Sequence, residues 1–106
     1  MKESFRRFEI LLPLQFNDGR KVPREHFAAA FGELKERFGA VSTESQIIVG
    51  EWEADGKDER DRLVRVFVDV PDTDENRAFF AAWKGRLKER FAQLDIWATS
   101  HPVDVI

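Results

Sequence analysis

Apolar and polar residues alternate near the start of the chain. Phe8, Ile10, Leu12, Leu14 and Phe16 share one parity over residues 5–16, the period of a strand with one face buried. Pro13 cannot donate to a ladder, so it marks an edge or a bulge. The Asn17-Asp18-Gly19-Arg20 run signals a turn. The period then changes: Phe27, Phe31, Leu34 and Phe38 recur on one helical face. This predicts a helix over 23–38, with Pro23 as its first residue and Gly39 as its left-handed end. Strands are expected at 46–53 and 60–70, joined by an Asp55-Gly56 hairpin turn. In the second of these, Val64, Val66, Val68 and Val70 share a face. Asp72 or Thr73 then caps a helix over 74–91 that carries Phe80, Trp83, Leu87 and Phe91. A last strand follows over 95–106, restricted by Pro102.

One stretch occurs twice. Residues 24–38 and 77–91 are identical at ten of fifteen positions, at an offset of 53 in a chain of 106. The repeat speaks to architecture. The order β-α-β-β-α-β, with its helices duplicated, predicts an α+β ferredoxin-like sandwich. Its antiparallel four-stranded sheet would have the order 4-1-3-2, with both helices on one face. The chain reads as a single domain of two βαβ halves, about 1–53 and 54–106. The strands break the repeat, because the offset maps the apolar set of the first strand onto Leu63, Arg65 and Phe67 rather than onto the valines. Either a residue is gained between strand and helix in one half, or a bulge at Pro13 shifts the register. Each helix also carries a central glycine, Gly32 or Gly85. Glycine there costs about 1 kcal/mol relative to alanine, so its recurrence points to close packing of the helices.

Composition narrows the chemistry. There is no cysteine, which removes disulfides, thiolate metal sites and a cysteine nucleophile. A net charge of −3 gives no basic field for nucleic acid. No apolar run reaches the ~20 residues of a membrane span, and no signal peptide is evident. A cytoplasmic location follows as the expectation.

Candidate sites are few. His101 and His26 are the two histidines, weak candidates for a general base, with no spacing that would make them a metal pair. The acidic residues around 51–61 read as a solvated hairpin and lack the ligand pattern of a calcium loop. No metal site and no cofactor is expected. Trp52, Trp83 and Trp97 are candidate walls of a ligand pocket, against core filling as the simpler role. The sheet face away from the helices is expected to carry Leu11, Ile47, Val49, Leu63, Arg65 and Phe67. That mixture is too apolar for water and too charged for a core. It predicts a two-fold homodimer through this face. The two repeats differ at His26/Phe79, Ala30/Trp83 and Phe31/Lys84, which marks where a site on the helical side would lie.

Pro23-Arg24 opening the first helix, Arg37-Phe38-Gly39 closing it, Gly50-Glu51-Trp52 and Arg90-Phe91 resemble an uncharacterised bacterial family of small ferredoxin-like α+β domains. The chain is also broadly similar to the dimeric α+β barrel group, which contains cofactor-independent oxygenases and isomerases beside non-enzymatic modules. The resemblance implies the fold and assigns no catalytic residue. The sequence thus leads to a small homodimeric domain acting in protein association or small-ligand binding. The alternative is a small cofactor-independent enzyme.

Overall fold

The structure, a computed structural model, describes residues 3–44, 47–54 and 56–106, with the backbone alone at 52, 54 and 57–59. The elements are β1 (Phe5–Pro13), α1 (Arg24–Phe38), β2 (Ser42–Thr43), β3 (Ile48–Ala54), β4 (Lys57–Pro71), α2 (Asp74–Arg90) and β5 (Ala98–Val103). The fold is α+β, compatible with a ferredoxin-like arrangement. All strand pairs are antiparallel.

The expected four strands in the order 4-1-3-2 are corrected to a five-stranded sheet. Its path is β2-β4-β1-β5, with β3 also on β4. The reason is the length of β4. Its fifteen residues outrun every partner: β1 takes 63–71, β3 takes 57–63, and β2 touches Val66 and Phe67. Leu63 pairs with Pro13 and also with Ile48, so β3 lies on the edge of β4 opposite β1, in line with β2. Thr43 faces Val66 and Ile48 faces Leu63. Five steps along the edge thus match three along β4, and the edge strand is broken in two.

The register of β1 against β4 runs unbroken from Phe5↔Pro71 to Pro13↔Leu63. There is no bulge at Pro13, and the residue that upsets the repeat lies outside this ladder. β4 runs almost directly into α2 through Asp72 and Thr73. β1 instead leaves through a ten-residue excursion over 14–23, pinned by Phe16 N–H to Arg20 carbonyl at 2.8 Å and Val22 N–H to Leu14 carbonyl at 2.9 Å. Nor is Pro13 on an edge strand, since β1 lies between β4 and β5. Leu11 donates toward the β5 side, to the Trp97 carbonyl at 3.0 Å. Pro13, two residues on, faces the same way past the end of β5, where no N–H is needed.

Both helices cover one face of the sheet. Phe8, Ile10 and Leu12 from β1 join Val66, Val68 and Val70 from β4, Ala30 and Leu34 from α1, and Phe80, Trp83 and Leu87 from α2 in one buried cluster. Pro23 is the N-cap of α1 rather than its first residue, with extended backbone (ψ 147°) and no side-chain cap. Gly39 ends α1 at φ 77°, its N–H reaching the Lys35 carbonyl. Thr73 caps α2, its Oγ accepting from the Asn76 N–H at 3.1 Å.

The expected close approach of the helices at their glycines does not occur. Gly32 and Gly85 are exposed, and a Cβ at either would meet nothing within 4 Å. Their recurrence has no packing cause in this structure.

Candidate functional site

An open cavity of about 550 Å³ lies beside the first two turns of α1. Its apolar walls are Phe27 and Phe31 from α1, Leu14 from the excursion after β1 and Val64 from β4. Arg24, Glu25 and Ala28 of α1, Thr43 of β2 and neighbouring Glu44 complete it. The sequence makes this space in two ways. Thr43, at the end of β2, pairs with Val66, and Val64, two residues along the same face of β4, lines the cavity with it. Helix α1 has only Ala30 and Leu34 fully buried, so its phenylalanines stand half-buried at the margin. The Phe27 and Phe31 rings are 6.3 Å apart and tilted by 47°. Phe27 also meets Phe91 edge to face at 5.3 Å, which ties the wall to the core.

The polar rim is small. Glu44 accepts from Arg65 Nη1 at 3.0 Å, and its backbone N–H donates to the Arg65 carbonyl at 3.0 Å. The carboxylate is therefore held toward Arg65, on the sheet face away from α1, and Glu44 meets the cavity only at its margin. Arg24 and Glu25 are exposed in the first turn of α1. The ionisable groups on the wall are thus Arg24, Glu25 and Glu44.

Neither histidine lies there. His26 is half-buried with its ring edge-on to Phe16 and Phe91, each at 5.9 Å. His101 is exposed on β5 opposite Arg7, whose hydrogen bond to Asp69 is the main cause of that carboxylate's lowered pKa. Trp83 and Trp97 do not share a pocket either. Trp83 is fully buried, its indole 3.4 Å from Glu33 Oε1 across the two helices. Trp97 is 67% exposed. The side chain of Trp52 lies outside the described residues. No group of three or more metal-ligating side chains occurs among the described residues. The wall residues that sequence reasoning missed are Leu14, Thr43 and Glu44. Phe31 had a signal, as an aromatic in α1 where the repeat has Lys84.

The charged groups around α2 hold the framework. Glu33 of α1 takes the Arg90 guanidinium and the Trp83 N–H. The hydrogen bond from Arg90 chiefly lowers its pKa, against the opposing effect of burial. Asp72 binds Arg77 and Arg6, each lowering its pKa. Arg6 also donates to Ser100 Oγ at 3.0 Å, so one arginine links β1, β5 and the start of α2.

On the other sheet face, Leu11, Leu63, Arg65 and Phe67 stand half-buried together. Two expected members differ. Ile48 pairs with Leu63 and takes its face, so Val49, paired with Arg62, has the opposite one. Ile47 precedes the strand and is 41% exposed. The hairpin register, running from Ala54↔Lys57 to Ile48↔Leu63, sets these faces.

The sequence matches no protein-family model and no curated protein. Solved structures do share the fold. One is a phage SAM lyase in complex with S-methyl-5'-thioadenosine, with a TM-score of 0.67 and 15% identity over 99% of this chain and 92% of that one. Another is a Bacillus cereus protein related to NIF3, with a TM-score of 0.62 and 12% identity. The chain covers 97% of its own length there and spans about a quarter (26%) of that protein. At these identities the likeness is one of fold. Among the described residues, no helix is long and apolar enough to cross a membrane.

Proposed function

We propose that this chain is a small-ligand-binding domain, and that its ligand, of nucleoside size and character, enters the cavity beside α1. The observation that carries this reading is the pair Phe27 and Phe31, kept half exposed on the wall of a 550 Å³ space. That volume is within the ~300–1,000 Å³ of small-molecule sites. Aromatic and aliphatic walls with few polar groups suit a flat, mostly apolar body. Thr43, paired with Val66 on the helical face, supplies a hydroxyl, and Arg24 and Glu25 in the first turn of α1 supply charged groups for hydrogen bonds to hydroxyl or amino groups. The phage SAM lyase adds support, because a protein of this fold holds S-methyl-5'-thioadenosine.

The test is calorimetric titration of the full chain with S-methyl-5'-thioadenosine and with adenosine. Saturable binding of either is expected. Phe31→Ala should weaken it at least ~10-fold, the loss of about 1.4 kcal/mol, with the far-ultraviolet spectrum unchanged. Binding that Phe31→Ala leaves intact would place the ligand elsewhere. No binding of either compound at millimolar concentration would end the nucleoside reading.

A further inference from the structure

Among the described residues no element covers the outer sheet face, yet its side chains are those of a packed surface. We infer that it seats a second copy of this chain, with Trp97 as the anchor. This does not depend on what the cavity binds. The placement of Trp97 follows from register. Ala98 pairs with Ile10 of the buried set, and the Trp97 carbonyl accepts the Leu11 N–H. Trp97 therefore continues the ladder beside Leu11 and takes the outer face. There it joins Leu11, Leu63, Phe67 and Ile48 in an apolar band that crosses every strand line of the sheet. A tryptophan that is 67% exposed beside half-buried aliphatic groups has the character of an interface hot spot.

Charge selects the occupant. The face interleaves Arg7 and Arg65 with Glu9 and Asp69, so the pattern complements itself, as copy-to-copy contact requires. Arg7 already binds Asp69 through two bonds of 2.8 and 3.0 Å. Arg65 gives its Nη1 to Glu44 of its own chain, and its Nε is buried without an acceptor among the described residues. Glu9 makes no ion pair among the described residues, although its charge reaches Arg7. Glu9 of one copy against the outer edge of the Arg65 guanidinium of the other gives that carboxylate a partner. The size is also right. Four strand lines ~4.8 Å apart, over nine residues at ~3.4 Å each, give a flat footprint on the order of 600 Å². Side-chain relief raises its accessible area toward the ~800 Å² per partner of a stable interface.

Light scattering after size-exclusion chromatography tests this on the full chain. The expected mass is a multiple of 12.4 kDa. Trp97→Arg and Phe67→Arg should each return the single chain while circular dichroism stays native. Leu94→Arg is the control, since Leu94 is as exposed but lies beside α2 rather than on this face. Glu9→Arg and Arg65→Glu should each weaken association at least tenfold, and the double exchange should recover it. A wild-type mass of one chain at every concentration would overturn the inference. So would association that survives both face variants, or a loss in Leu94→Arg as large as theirs.

Discussion

The two helical repeats are nearly the same sequence and do different work. In α2, Phe80, Trp83 and Leu87 are buried, and Phe91 just beyond it is buried as well. In α1, full burial stops at Ala30 and Leu34, while Phe27, Phe31 and Phe38 remain half-buried. The substitution that decides this is Ala30 against Trp83. The large side chain sits on α2 and reaches across to α1, where Glu33 receives its indole N–H. Space at the middle of the helical layer is filled from one side. The aromatic rings of α1 are then left for its margins, and at one margin they wall a cavity. A duplicated helix can thus close the core in one copy and open a site in the other through one pair of residues of unequal size.

The largest test of that contrast is Trp83→Ala, set beside Phe31→Ala. The first should cost about 3–5 kcal/mol, because it removes a buried aromatic and leaves a void. The second should cost clearly less, since Phe31 is already half in water. Urea unfolding of both variants measures the difference, and equal losses would mean that the helices are not unequal partners.

A smaller effect belongs to the link between them. Glu33→Gln should lower stability at neutral pH by no more than about 1 kcal/mol, since Glu33 keeps a third of its exposure and solvent screens the pair. The sign with pH is fixed. The folded-state pKa of Glu33 is depressed, so its contribution is present above the usual glutamate value of about 4.3. It disappears as pH falls through the lower folded value. The variant and the wild type should therefore converge in acid, as unfolding measured at pH 7 and near pH 3 would show.

The smallest effects are gains. Gly32→Ala and Gly85→Ala should each stabilise by about 0.4–1 kcal/mol, because both positions are helical, exposed and open. A loss at either, read from thermal unfolding, would reveal a contact that the single chain does not make.

Much of the architecture was legible in the sequence. The period of two in β1 and β4, the helical period of the repeats, and the Thr73 and Gly39 caps all name local physics that the fold keeps. What stayed hidden depends on partners distant in the chain. The strand's own pattern could not place Val49 and Ile48, because their faces come from the hairpin register that opens at Ala54↔Lys57 and sets Ile48 opposite Leu63. Trp97 falls within the strand expected over 95–106, but β5 begins at Ala98, and only the bond from Leu11 gives Trp97 a face. Thr43 reaches the cavity because its pairing with Val66 puts it on the helical face, which nothing in its own neighbourhood signals. The unequal burial of Ala30 and Trp83 was visible as an asymmetry, but its direction, filled core against open wall, required the packing.

Pro13 has a consequence for which substitutions the molecule can bear. It is buried at the step where β5 runs out and β1 continues. A residue with an N–H there would carry a donor on the β5 side with no strand opposite it, and a buried donor without a partner costs about 1–3 kcal/mol. Proline has no donor to leave unpaired. The residue that usually weakens a strand is the one this inner position tolerates best.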